Sequence, residues 1–274
     1  MPDEASARLV GELKRFNARL GLKKRLGGVQ YGRVIEYARA YRFLDLQPDQ
    51  RLLDIGTGKH SIFPLFCASM NPALRCHITD IGEYVNVQRR LAWRIPQLAA
   101  AFEAGRIVIE TQDATDLSYD AESFDAVSAI STIEHIPDNG DASAVREAYR
   151  VLKPGGKLAI TVPLAHGGPA FDTYRKRTSY LRKYQGEPTF FQHNYDDNTL
   201  NSRLLEAAPF PDTTCELWDD GGFYQQKWCR HVPMRNALKH LIGWWLTDLC
   251  LKKYRMIETY QGSTALLAIV CCTK

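Results

Sequence analysis

No stretch of the 274 residues is apolar for long enough to cross a bilayer. The strongest, Leu266 to Cys272 and Ile242 to Leu246, fall far short of the roughly 20 residues a spanning helix needs. The first residues, Met1-Pro2-Asp3-Glu4-Ala5, lack the basic and then apolar run of a secretory leader, so a cytoplasmic chain is expected. The seven cysteines (67, 76, 215, 229, 250, 271 and 272) are odd in number and form no C-x-x-C pair. That excludes a disulfide framework or zinc knuckle as the organising element, and they read as reduced, mostly buried thiols. No His, Cys, Asp or Glu spacing suggests a metal centre. Internal repeats and low-complexity linkers are missing as well. Charge of one sign is scarce: a formal net charge of +4 is too small to argue for a nucleic-acid partner.

What is present is an ordinary globular balance, 45% apolar and 24% charged, which excludes a disordered tail, a collagen or a rod. The length fits one large domain or two small ones. Charge is unevenly spread. Residues 1 to 47 hold ten Lys/Arg against five Asp/Glu, and 227 to 255 hold seven against one. The basic flanks suit either an anionic partner or solvated helix faces.

Leu9, Leu13, Phe16 and Leu20 recur at helical spacing, and after the Gly27-Gly28 break a second helical pattern runs through Ile35, Ala38, Tyr41 and Phe43. Residues 1–47 therefore read as an N-terminal helical cap. From Arg51 the pattern becomes alternating strands and helices. Strands are predicted at Arg51–Ile55, Cys76–Asp80, Arg106–Glu110, Phe124–Ile130 and Lys157–Val162, with helices after the first two, the second spanning Tyr84 to Leu98 and stopped by Pro96, and another at Ala142–Val151. A helix at Asn198–Ala208, capped by Asp196 or Asp197, and strands near Thr214–Trp218 and Thr264–Cys271 would complete a seven-stranded, mostly parallel α/β sheet of Rossmann-like type over residues 48–274. Two long insertions, 164–195 and 219–262, interrupt it, and long loops in a compact domain are usually functional.

Leu53-Asp54-Ile55-Gly56-Thr57-Gly58 puts two glycines where a strand turns into a helix, so that a ligand can lie against bare backbone. Asp80 closes the next strand, where a carboxylate accepts the two hydroxyls of a ribose. Asp54 before the first glycine, and no glycine at 61, point away from a dinucleotide fingerprint. These segments, with Gln112-Asp113-Ala114, Ser123-Phe124-Asp125-Ala126-Val127, Ile133-Glu134-His135-Ile136-Pro137-Asp138 and Arg150-Val151-Leu152-Lys153-Pro154-Gly155-Gly156, resemble the class I S-adenosylmethionine-dependent methyltransferases. The nearest subgroup is that of ubiquinone and menaquinone biosynthesis. The resemblance covers about residues 45 to 165.

It implies S-adenosylmethionine as cofactor, with Asp54, Gly56 and Gly58 at its methionine end, Asp80 on the ribose, Ile81 on one face of the adenine, Asp113 and Ala114 at the adenine edge, and Ser131 near the methionine ammonium. His60 stands where the family has a third glycine. Methyl transfer to oxygen or nitrogen needs alignment and removal of one proton. His135 and His166 are the candidate bases, followed by His193 and Asp196. The aromatic residues crowded into the insertions suit a lid over a flat or apolar small molecule. Leu238, Leu241, Ile242, Trp245 and Leu249 share a helical face that either seals the pocket or forms a homodimer seam. The expected function is methylation of a small-molecule acceptor at O or N. Two alternatives stand beside it: a non-methylating binder such as a cyclase on the same fold, and an RNA methyltransferase. Ser131-Thr132-Ile133-Glu134 in place of an Asn/Asp-Pro-Pro-Tyr/Phe motif argues against nucleic acid.

Overall fold

The computed structural model describes residues 3–29, 32–59, 61–165, 168–175, 188–221, 247–248, 251–258 and 267–274. The amphipathic stripes at the start become α1 (Glu4–Arg19), α2 (Leu22–Gly27) and α3 (Arg33–Leu44). The Asp3 side chain caps α1 by accepting from the Ser6 N–H at 2.8 Å. Then come β1 (Arg51–Asp54), α4 (Phe63–Met70), β2 (Arg75–Asp80), α5 (Val87–Ala92), α6 (Pro96–Glu103), β3 (Ile107–Thr111), β4 (Phe124–Ile130), α7 (Gly140–Val151) and β5 (Leu152–Pro163). The second half adds β6 (Phe171–Arg175), β7 (Thr189–Asn194), α8 (Asp197–Leu200), β8 (Asp212–Asp219), β9 (Arg255–Ile257) and β10 (Leu267–Thr273).

The main sheet runs β3-β2-β1-β4-β5-β10-β8-β9. Pairings from β3 through β5 are parallel, and β10 is antiparallel to both β5 and β8. The chain starts in the middle at β1, steps outward to β3, then crosses back to β4. The carboxyl ends of β1 and β4 therefore flank a switch point, where a crevice opens. Side-chain alternation along β1 divides the core: Leu52 packs with Leu13, Phe16, Val34, Tyr37, Phe63 and Phe66 on one face. Leu53 packs with Val127, Ala144, Val145, Leu200 and Leu204 on the other. The N-terminal helices thus share a core with the sheet.

Three expectations are corrected. The main sheet has eight strands rather than seven, because β9, from within the insertion at 219–262, pairs antiparallel with the end of β8. An uncovered β8 edge would leave backbone groups unpaired, and the Arg255 to Asp219 ion pair at 2.7 Å fixes the added strand. Pro96 starts a helix instead of stopping one: Ile95 before it is extended and Pro96 occupies the first turn of α6, where its missing N–H costs nothing. The helix capped by Asp196 is short. Asp196 and Thr199 form a reciprocal capping box, after which the turns widen into a π-helix over Asn201–Leu205. The first insertion contains the hairpin β6–β7. The stripe Leu238 to Leu249, His60 and His166 lie outside the described residues, as does most of the second insertion.

Candidate functional site

The turn after β1 is held from beneath. Asp54 is buried, and its carboxylate accepts from the Ser128 hydroxyl of β4 at 2.5 Å and from the Thr57 hydroxyl. Burial pushes its carboxyl up to about 6 against those donors. Gly56 and Gly58 both have left-handed backbone, φ +68° and +63°. A Cβ on Gly56 would lie 1.9 Å from the Thr132 methyl, so the position has no room for a side chain as well as the wrong φ. The Thr132 hydroxyl donates to the Gly56 carbonyl at 3.0 Å, tying the loop after β4 to the glycine turn.

Asp80 ends β2 with one oxygen accepting the Gly58 N–H at 2.8 Å. The other accepts from the Tyr84 hydroxyl at 2.5 Å and the Gly82 N–H at 3.2 Å. The carboxylate is thus fixed in orientation at the lip of a cavity of about 300 Å³. Its lining brings together residues from the ends of four parallel strands: Ile55 and Gly56, Asp80 with Ile81 and Tyr84, Gln112 to Ala114, and Thr132 with His135 to Pro137. Phe190 and Phe191 of β7 close it from the hairpin side. Ile81 is 67% exposed, an apolar side chain displayed beside a carboxylate. Asp113 turns its own loop, accepting from the Thr115 N–H at 2.9 Å, while its residue also lines the cavity.

The other expected contacts stand further back. Asp54, Gly58 and Ser131 are not among the lining residues: Asp54 supports the turn, Gly58 gives its N–H to Asp80, and Ser131, with φ +46°, donates its hydroxyl to Glu36 of α3 at 2.7 Å. His135 lines the cavity with Nδ1 donating to the Phe191 carbonyl at 2.6 Å. That bond fixes the tautomer, and burial lowers the imidazole's pKa. Tyr84 and Thr132 were missed by sequence reasoning as site residues, while Phe190 and Phe191 belong to the aromatic insertion expected to lie over the site. An aromatic four positions after the ribose carboxylate was the available signal for Tyr84.

A second cavity, about 540 Å³, adjoins the first at Pro137 and Phe190. Here His193 Nδ1 faces Asp172 at 2.6 Å, across the β6–β7 register, and its Nε2 lies 3.3 Å from Arg203. Arg203 in turn grips the buried Asp141 through two bonds of 2.8 and 2.7 Å, and Tyr195 donates to the same carboxylate at 2.8 Å. Among the described residues no group of His, Cys, Asp and Glu is placed to hold a metal ion, and no helix is long and apolar enough to cross a membrane.

The residues suit an adenosyl ligand with a positively charged amino-acid end. The bare backbone at Gly56 and the fixed Asp80 accommodate the nucleoside, and a buried carboxylate oxygen of Glu134 next to the site has no donor among the described residues. A switch-point crevice with a glycine turn and a strand-end carboxylate is the place where open α/β sheets bind nucleotide-like ligands. Residues 53–160 match the profile of a methyltransferase domain. Over that stretch, under half of its length, the chain is similar to methyltransferase domains, among them those of the ubiquinone/menaquinone C-methyltransferases.

It is 32% identical over 120 residues to the 27-O-demethylrifamycin SV methyltransferase of Amycolatopsis mediterranei, covering 43% of this chain and 40% of that one. Against the ubiquinone/menaquinone biosynthesis C-methyltransferase UbiE of Geotalea daltonii it is 31% identical over 124 residues, 44% and 48% of the two chains. These matches span under half the length of either relative. The crystal structure of the [4+2]-cyclase SpnF shares the fold with a TM-score of 0.52 at 20% identity, covering 90% of this chain and 84% of that one.

Proposed function

We propose that this protein transfers the methyl group of S-adenosylmethionine to a small-molecule acceptor at oxygen or nitrogen. The observation that carries the reading is Asp80, a ribose-type carboxylate locked by the N–H of the glycine turn at the rim of an apolar cavity. In this reading Asp80 accepts from the ribose, Ile81 and Ala114 enclose the adenine with Asp113 at its edge, and the Gly56–Gly58 backbone borders the methionine end. Asp54 and Ser131 act at one remove, by shaping the turn and the end of β4. The acceptor approaches from the hairpin side, through the second cavity.

His135 is the preferred proton acceptor, since its ring is tautomer-fixed and lines the cavity. His193 is the second candidate, because Asp172 orients it as a carboxylate orients a catalytic base. His166 stays a candidate on sequence grounds alone. A homodimer and a cytoplasmic location belong to the same proposal.

The cyclase SpnF, which the fold resembles, motivates a second reading: the same cavity binding the nucleoside without methyl transfer. Mass spectrometry separates the two. The protein, given S-adenosylmethionine and a panel of small hydroxyl and amine compounds, is expected to form S-adenosylhomocysteine with a methylated partner at matching rates, and Asp80→Ala is expected to form neither. Tight nucleoside binding with no S-adenosylhomocysteine from any acceptor would favour the second reading.

A further inference from the structure

Three carboxylates are buried around the turns after β1 and β4: Asp54, Glu36 and Glu134, each at most 4% exposed. Two are fully satisfied. Asp54 has its two hydroxyl donors. Glu36 accepts from Ser131 at 2.7 Å and Thr161 at 3.0 Å on one oxygen and from Arg33 at 2.8 Å on the other. Arg33 is the cation of this cluster, and its recorded bonds go to Glu36 and to the Ile130 carbonyl. Glu134 is different. Its Oε1 sits 3.9 Å from Nε2 of His135, too far for a hydrogen bond, and its Oε2 finds no donor among the described residues. Among the described residues its own backbone N–H is the one hydrogen-bond donor that acts on this carboxyl, and a buried carboxyl with one oxygen unpartnered is either neutral or matched by something that arrives.

Glu134 lies just behind the cavity wall: it does not line the cavity itself, but His135 next to it and Thr132 two positions before it do. The ligand proposed for that cavity is positively charged at its methionine ammonium and at its sulfonium. We propose that Glu134 is the counter-charge to the bound cofactor, giving up its proton to solvent as the cation enters. The O–H bond of the acid breaks, the proton leaves to the buffer, and the carboxylate formed faces the incoming positive charge. This inference rests on the methyltransferase reading and deepens it.

The state before binding is consistent with that step. Burial pushes the Glu134 carboxyl up to about 8, only partly offset by its own backbone N–H and by Arg33, with Glu36 adding a little. The groups that face it are Arg33 and Glu36 of α3, His135 on its own turn and Tyr195 after β7. Because the ligand selects the ionised form, affinity should rise with pH up to the free carboxyl's pKa, by nearly tenfold per unit. Asp54 adds its own dependence near pH 6, which a Glu134 variant retains.

The test is calorimetric titration of the full chain with S-adenosylmethionine and, separately, S-adenosylhomocysteine, in buffers of differing ionisation enthalpy, from pH 6 to 8.5. The wild type should release about one proton per S-adenosylmethionine bound at pH 7, and Glu134→Gln close to none, with a flatter affinity profile above pH 6.5. Release with both nucleosides assigns the partner as the ammonium, and release with S-adenosylmethionine alone assigns it as the sulfonium. Binding without proton release in the wild type, or equal release in Glu134→Gln, overturns the inference and leaves the methyltransferase reading intact. If neither nucleoside binds, both fall. Should Glu134→Gln fail to fold, the wild-type proton count decides alone, with Glu134→Asp as the second variant.

Discussion

The two cavities at the carboxyl edge of the sheet share Pro137 and Phe190, yet they are built in opposite ways. In the first, the polar groups are few and Asp80 is held mainly by backbone: by the N–H groups of Gly58 in the turn after the neighbouring strand and of Gly82 two residues on, with the Tyr84 hydroxyl. In the second, polar side chains hold one another, running from Asp172 through His193 and Arg203 to Asp141 and Tyr195. The first arrangement needs only short motifs and leaves an apolar wall for an adenine. The second depends on pairings between distant segments, so it can vary from one acceptor to another without touching the nucleoside site.

If that contrast holds, damage to the second network should be large in stability and small in nucleoside binding. Asp141→Ala removes the carboxylate shared by Arg203 and Tyr195 and leaves a partly buried guanidinium without it, which should cost about 3–5 kcal/mol in chemical denaturation. Nucleoside affinity of the folded fraction should stay within about threefold, since distant sites act independently. A large loss of affinity would merge the two cavities into one unit.

Gly56→Ala strikes the first cavity, through both the 1.9 Å contact with Thr132 and the left-handed φ. The expected loss is about 2–3 kcal/mol, split between stability and nucleoside affinity. Adding Thr132→Ala should recover the steric part only.

Glu134 lies behind the wall of the first cavity, next to His135. Its carboxyl is raised by burial to about 8 in the folded protein, so its protonated form stabilises the fold at low pH and that contribution is lost as pH rises through 8. Ligand-free wild type should therefore lose at least about 1 kcal/mol relative to Glu134→Gln between pH 5 and 9 in urea melts, and a constant difference would place the residue in a solvated setting. The smallest effect belongs to Asp172→Asn. The pair with His193 is partly exposed, so stability should change by less than about 1 kcal/mol while the pH profile of turnover shifts, if His193 handles the acceptor's proton.

How far the sequence carried depended on the range of the forces. β1, β2, β4 and α7 fall within two residues of their expected ends because alternation, a glycine turn or a helical period marks each of them locally. The glycine turn at Gly56 and Gly58 and the strand-end position of Asp80 were legible as geometry for the same reason. Pro96 misled because a proline that breaks one helix also starts the next, and only the course of the chain tells which. β9 has three residues and follows a long insertion, so no local pattern announces it. The Glu36–Ser131 and Asp141–Tyr195 bonds join residues 95 and 54 positions apart, and a carboxylate on a helix reads as surface until the partner is known. Ser131 looked like a cofactor contact because it ends β4. The structure turns its hydroxyl to Glu36 instead.

The central claim is that the Gly56–Asp80 turn holds an adenosyl cofactor. Titration of S-adenosylhomocysteine onto the wild type and onto Asp80→Ala tests it most directly. One-to-one binding that weakens by roughly ten- to 100-fold in the variant, the cost of leaving buried ribose hydroxyls without their acceptor, is the expected result. Equal affinity in the two proteins, or none in the wild type, would contradict it.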